Sequence, residues 1–297
     1  MRLGIDLGGT KIAAVVLDAG GRARWETRVA TPRGDYAGTV RAIASLVAAA
    51  EAAVGEPCTV GIGMPGAVSP ATGLVKNANS TWLNGQPFAQ DLERALGREV
   101  RLANDANCLA VSESVDGAAA GADVVFGVIV GTGTGGGIAI RQRVLTGVNA
   151  IAGEWGHNPL PWPAAAELPG PPCYCGRFGC LETWLSGPAL AADYVRRGGA
   201  QVSGEDIVGR AAAGEALASE TLDAWYDRLA RGLSSVINLL DPDVVVMGGG
   251  LSTIQALYTE VPARWSRWVF SDRIATRLVP AAFGDASGVR GAAWLWE

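Results

Sequence analysis

Apolar positions recur along this chain in two rhythms, one of strands and one of helices. Residues 2–5 and 12–17 are apolar runs on either side of Leu7-Gly8-Gly9-Thr10, which predicts a β-hairpin with its tip at the glycines. A further strand is predicted over 25–30. From 36 to 54 the spacing changes: Val40, Ile43, Leu46 and Val47 recur at helical intervals, so a helix is expected there. A buried strand over 60–64 leads into Pro65-Gly66, and a short helix over 92–96 ends at Gly97. A strand over 100–102 runs into Asn104-Asp105-Ala106-Asn107, and 108–120 reads as helical.

The pattern then starts again. An apolar strand over 124–130, a glycine turn over 131–137 and a resumed apolar run at Ile138-Ala139-Ile140 reproduce strand, turn and strand about 125 residues further on. This predicts a duplicated unit with a boundary near Gly121. A proline-rich loop over 159–172 precedes a cysteine cluster, and amphipathic helices fill 188–240. A last buried strand over 243–247 ends on Gly248-Gly249-Gly250, and 284–296 reads as a turn followed by a closing helix.

Composition narrows the function. With 297 residues and 49% apolar content the chain builds a sizeable core, as two domains or one large one. Its 24 basic against 29 acidic residues give a net charge of −5, which argues against a nucleic-acid or anionic-membrane surface. Lysine occurs only as Lys11 and Lys76, followed by Ile12 and Asn77, so no G-x-x-x-x-G-K-[ST] phosphate loop exists. The one histidine, His157, has no G-x-S-x-G serine to partner in a triad. The start reaches Asp6 too soon for a signal peptide, and no apolar run approaches the ~18 residues of a membrane span. A soluble, cytoplasmic protein is expected.

Three glycine clusters, at 8–9, 131–137 and 248–250, each follow a buried strand, where exposed N–H groups can line an anion site. Gly131, Gly133 and Gly136 match G-x-G-x-x-G, but a strand rather than the required helix follows. Asp6-Leu7-Gly8-Gly9-Thr10 suits a Mg²⁺-polyphosphate, with Asp6 holding the metal through water and Thr10 donating; a turn-capping Asp is the plain alternative. Asp105 is either a helix N-cap or a buried base beside sugar-binding asparagines. The strongest signal is metallic: His157, Cys173, Cys175 and Cys180 make a complete tetrahedral Zn²⁺ set, and Glu154 and Glu182 flank it.

These segments together resemble the ROK family of sugar kinases, within the actin/hexokinase-like ATPase superfamily, over essentially the whole length. The resemblance rests on Asp6 to Lys11, Asn104 to Asn107, Gly131 to Gly137, Gly153-Glu154-Trp155-Gly156-His157, Cys173-x-Cys175-x₄-Cys180-x-Glu182 and Gly248 to Ser252. It implies a two-domain α/β fold of duplicated ribonuclease-H-like units with a cleft and a structural zinc loop over 157–180. The small domain would cover 1–120, joined by a final helix over 287–297, and the larger domain 121–286. By the same resemblance Asp105 is the general base, and Asn79, Asn104, Glu154, His157 and Glu182 lie at the sugar. ATP and Mg²⁺ would use Asp6, Gly8, Gly9, Thr10 and Lys11 on one turn and Gly131, Thr132, Gly133 and Thr134 on the other. Gly248, Gly249 and Gly250 would lie beside the adenosine.

A homodimer is implied as well. The segment 76–88 is most similar to the fructokinase branch, so the expected reaction is phosphorylation of fructose at O6. Trp82 is large and flat enough to fill space that an N-acetyl group would need, with a core or interface residue as the plain alternative. A glucokinase or N-acetylhexosamine kinase is the alternative. A sugar-responsive repressor would need a DNA-binding extension, for which nothing before Asp6 leaves room.

Overall fold

The structure, a computed structural model, describes residues 1–296. The chain opens with β1 (Arg2–Leu7), β2 (Lys11–Leu17) and β3 (Ala23–Ala30), then α1 (Tyr36–Val54) and β4 (Thr59–Met64). A small ribbon of β5 (Ala67–Val68) and β6 (Val75–Lys76) leads to α2 (Phe88–Leu96), β7 (Val100–Asn104) and α3 (Asp105–Val115). The second half begins with β8 (Val124–Val130), β9 (Thr134–Ile140) and β10 (Arg143–Val144). Four helices follow, α4 (Glu182–Leu185), α5 (Gly187–Arg196), α6 (Gly204–Ala212) and α7 (Ala216–Leu240). After β11 (Val244–Gly248) come α8 (Leu257–Glu260), α9 (Pro262–Trp265), β12 (Arg277–Pro280) and α10 (Ser287–Ala293).

The first sheet has the order β3-β2-β1-β4-β7 and the second β10-β9-β8-β11-β12. In the first, β2 pairs antiparallel with β1 and β3, while β4 runs parallel to β1 and β7. In the second, β11 runs parallel to β8 and β12, and β10 pairs antiparallel with β9. The two orders correspond strand for strand, which is the duplication read from the sequence.

The described chain divides into two compact units. One holds 1–121, 137–152 and 282–297; the other holds 122–136 and 153–281. The stretch 137–152, expected with the second domain, groups with the first. The reason is close packing: a Cβ at Gly137 would collide with the Ala106 backbone at the start of α3. Gly135, Gly136 and Gly137 accordingly belong to β9 and not to the turn where the sequence placed them. Two other boundaries move. The helix expected over 108–120 starts at Asp105 and ends at Val115, and the closing helix ends at Ala293. The strand β12 and the short helices α8 and α9 carried no periodic signal.

The core of the first unit packs Leu3, Ile5, Ile12, Val60 and Ile62 of the sheet against Ile43, Leu46 and Val47 of α1. At 19 residues and mean hydropathy 1.4, α1 is long and apolar enough to cross a membrane by length alone. Its buried stripe against the sheet, however, is the pattern of a core helix. On the same sheet α10 lies directly against backbone, since a Cβ at Gly4 would strike Val289 O and one at Gly61 would strike Ala292 O. Inside the second unit, α7 buries Trp225, Leu229 and Leu233, and β11 buries Val244 to Met247.

Candidate functional site

In the first unit, the β1–β2 turn is closed by Gly8 N donating to Lys11 O at 3.0 Å and braced by Thr31 Oγ1 donating to Gly8 O at 2.8 Å. Gly9, Thr10 and Lys11 are exposed at its tip. Asp6, half-buried at the end of β1, has its carboxyl raised from 3.8 to about 6. Burial is the main cause and the negative charge of Asp105 the next, with Lys11 opposing them. Asp6, Lys11 and Asp105 are therefore electrostatic neighbours.

The β7–α3 junction departs from expectation in detail. Asn104 is the N-cap of α3: its Oδ1 accepts from Ala106 N at 2.9 Å, and its Nδ2 donates to Gly66 O at 3.3 Å. Asp105 is the first residue of the helix, where its Oδ1 also accepts from Ala106 N, at 2.8 Å. It is exposed, not buried as the sequence reading had it. The helix N-terminus favours its charge, so it needs no burial to sit there.

Asn79 is exposed on a loop that Asn84 holds in place, accepting from Ala78 N at 2.9 Å and donating to Ala78 O at 2.8 Å. Sequence reasoning passed over Asn84, although it lies in the same motif. Trp82 falls to the plainer of its two readings. Its ring packs against the first unit's core and its Nε1 donates to Thr39 Oγ1 at 3.3 Å, so it is spent on structure.

In the second unit, Gly131 N donates to Gly133 O at 2.9 Å to form the β8–β9 turn, and Gly187 N donates to Gly131 O at 2.8 Å. The turn opens on a cavity of about 520 Å³ lined by Gly131, Thr132, Gly187, Ser203, Gly250 and Leu251, among others. Two helix N-termini, α5 capped by Ser186 and α6 capped by Ser203, contribute Gly187 and Gly204 to its wall. Such ends present unpaired N–H groups to an anion. Thr134 Oγ1, buried behind the turn, has no partner. Gly249, at φ +84°, leans on the Val130 backbone and leaves Gly250 facing the cavity. The helix-end residues of this wall escaped the sequence reading because Ser-Gly at a helix start is also an ordinary cap.

Glu182 begins α4 immediately after the cysteine cluster, and its Oε2 accepts from Thr134 N at 3.0 Å. A Cβ at Gly133 would meet that same oxygen at 2.8 Å, so only glycine leaves the carboxylate its place. Glu154 is half-buried and caps nothing with its side chain.

The four metal-ligating candidates converge. His157 Nδ1 lies 3.5 Å from Cys173 Sγ, Cys175 Sγ lies 3.6 Å from Cys180 Sγ, and all four ligand atoms fall within 4.8 Å of one another. Bonds of about 2.0 to 2.3 Å to a tetrahedral Zn²⁺ would place its ligands roughly 3.3 to 3.8 Å apart, so the set fits the metal. The loop is tied by Leu160 N to Gly179 O and Leu181 N to Asn158 O, each at 2.9 Å. Glu167, bridging the buried Arg228 and Arg231 of α7 at 2.8 Å each, anchors its proline-rich arm. Those charges hold the Glu167 carboxyl down at about 2 against the burial that would raise it. Zinc binding in small peptides supplies on the order of 10 kcal/mol and a hydrogen bond about 1, so a bound metal would dominate the order of this loop.

The ROK family model matches residues 2–297, and the chain belongs to that family. Among individual proteins, it is 39% identical over 299 residues to N-acetyl-D-glucosamine kinase of Escherichia coli O6:H1, covering 99% of both chains. The fold is similar to ROK hexokinase from Thermus thermophilus, with TM-score 0.87, 34% identity, and 99% and 97% of the two chains covered. It is also similar to the Streptomyces griseus ROK glucokinase bound to glucose and AMPPNP, with TM-score 0.77, 30% identity, and 98% and 97% covered.

Proposed function

We propose that this protein is an ATP-dependent hexose kinase whose preferred acceptor is N-acetyl-D-glucosamine. The observation that carries the reading is the 39% identity, over 99% of both chains, to an enzyme named for that activity. The fructose expectation is set aside. It rested on segment 76–88, and its one physical argument was Trp82, which belongs to the first unit's core.

The roles follow from residue chemistry. Asp105 accepts the proton of the acceptor's 6-hydroxyl as that oxygen bonds to the γ-phosphorus. The bond from the phosphorus to the bridging oxygen breaks, and ADP leaves. Mg²⁺ would supply charge neutralisation at the phosphates, with Asp6 the residue that would hold it. Gly8, Gly9, Thr10 and Lys11 on one turn and Gly131 to Thr134 on the other offer donors to phosphate oxygens. The 520 Å³ cavity, with Gly250 in its wall just beyond the end of β11, is the proposed seat of the nucleoside. Glu154 and Glu182 accept hydrogen bonds from hexose hydroxyls. A Zn²⁺ held by His157, Cys173, Cys175 and Cys180 would have its four ligands from the protein and would serve the loop's shape.

A coupled ADP-release assay across N-acetyl-D-glucosamine, glucose, mannose and fructose tests the proposal. N-acetyl-D-glucosamine is expected to show the highest kcat/KM, by tenfold or more over fructose, the scale of one buried polar contact. Equal values, or a preference for fructose, would overturn the acceptor and leave the kinase reading standing.

A further inference from the structure

We propose that Glu205 reads the ribose of the bound nucleotide, its carboxylate accepting hydrogen bonds from the 2′- and 3′-hydroxyls. The inference rests on the kinase reading above and names what fixes the nucleoside in its proposed seat.

The wall of the 520 Å³ cavity can be followed from residue to residue. It starts at Gly131 and Thr132 of the β8–β9 turn. Gly187 N donates to Gly131 O at 2.8 Å, which brings the start of α5 against that turn. A Cβ at Gly204 would lie 3.6 Å from Gly187 O, so the start of α6 packs against the start of α5. Glu205 comes next in the wall, two backbone contacts removed from the turn.

Among the described residues that line the cavity, Glu205 is the only ionisable one. Pro188, Ala191 and Leu251 give it apolar surface. Ser203 is already engaged: its Oγ donates to Asp206 Oδ2 at 2.8 Å and accepts from Asp206 N at 3.1 Å. Asp206, the other acid of this helix start, also accepts from Ser203 N at 3.0 Å, so the two residues close the cap between them. Glu205 takes no part in that cap and is exposed, its carboxylate left for a ligand.

An ionised carboxylate only accepts, at two oxygens side by side. Phosphate oxygens repel it, so a triphosphate belongs at the turn and not at Glu205. The adenine base supplies a single amino group whose two hydrogens diverge. The ribose supplies two vicinal hydroxyls, which meet both carboxylate oxygens at once. The acid thereby sets the polarity of the ligand, with phosphates toward Gly131 and Thr132 and the ribose at Glu205.

The test measures nucleotide binding by calorimetry, with Mg²⁺ present, on the full-length protein and its Glu205→Ala variant. Wild type is expected to bind ADP about tenfold more tightly than 2′-deoxyADP, the scale of a hydrogen bond to a charged group. In the variant that ratio should fall below about twofold, while hexose affinity and the ratio of ADP to inosine diphosphate should not change. Removing a charge near phosphates strengthens both nucleotides alike, so the ratio is the readout and not the absolute affinity. A tenfold ratio that persists in the variant would overturn the proposal, as would equal binding of ADP and 2′-deoxyADP by wild type. A change in the inosine ratio alone would overturn it too, by putting the carboxylate at the base. If wild type bound none of these nucleotides, the kinase reading itself would fall, and this inference with it.

Discussion

The two hairpin turns, one in each unit, share a strand order and differ in where their acid comes from. The β1–β2 turn carries its own carboxylate, Asp6, inside the strand that leads into it, and burial drives that acid up to about 6. The β8–β9 turn has no acid of its own. It draws on Glu182, 48 residues further along, through the Thr134 N–H. The duplicated scaffold thus repeats the turn, while each copy has its charge by a separate route. The first route is local and costs desolvation. The second is remote and depends on whatever orders the loop before Glu182.

The largest effect should come from the acid neighbouring the first turn. Asp105→Asn is expected to lower kcat by roughly 10² to 10⁴ with sugar binding preserved, the usual range for a general base. Removing its charge should also let the Asp6 carboxyl titrate lower, which NMR titration would show. Near-normal kcat would reduce Asp105 to a helix-start residue.

Cys175→Ser addresses the borrowed acid. Metal analysis should show zinc lost, and the KM for ATP should rise as Glu182 loosens from Thr134 N. The Asp6 titration should not move. A zinc-free variant with normal nucleotide binding would separate the second turn from the metal loop.

Asp6→Asn measures what the local acid costs. A carboxyl whose pKa is higher folded than unfolded binds more protons in the folded state, so stability falls as pH rises between 3.8 and about 6. Without nucleotide, the variant should be more stable than wild type by about 2 to 3 kcal/mol at pH 7.5 and equal to it near pH 3.5, by urea denaturation at both. A gap of the same size at both pH values would contradict the burial account.

The smallest effects distinguish the turns by what a methyl group would strike. At Gly8 a Cβ meets the Lys11 carbonyl at 2.9 Å, which is fixed backbone; at Gly133 it meets the Glu182 carboxylate, which can swing away. Gly8→Ala should lower stability by about 1 to 2 kcal/mol, the cost of overpacking. Gly133→Ala should leave stability nearly unchanged and raise the hexose KM several-fold. The reverse pattern would mean that Glu182 is as rigid as backbone.

What was legible in the sequence was chemistry that is local or scarce. Four candidate metal ligands within 24 residues, the Asp6 turn and the Asn104-Asp105 junction each announce themselves by type and spacing. What stayed hidden depends on partners distant in the chain. Gly136 and Gly137 look like turn glycines, yet Gly136 is glycine because Phe126 and Trp155 press on it within the sheet. The end of α3 is set by Glu113, fully buried, which accepts from Ala118 N at 2.8 Å and Ala282 N at 2.9 Å; no periodicity reports such a clasp. Trp82 shows how a conspicuous residue divides between two readings, recognition and core packing, until its partners are seen.

The glycines beneath α10 set an order of events for a nascent chain. A ribosome adding about 5 to 20 residues each second releases β1 and β4 long before α10 exists. During that interval Gly4 and Gly61 present bare backbone where Val289 and Ala292 will later lie. Every residue of the second unit emerges before residue 282, so that unit can settle while its elder still waits. The part synthesised first is completed late, by the segment from residue 282 onward, and a chain stalled before Ser287 would expose a sheet that α10 has not yet covered.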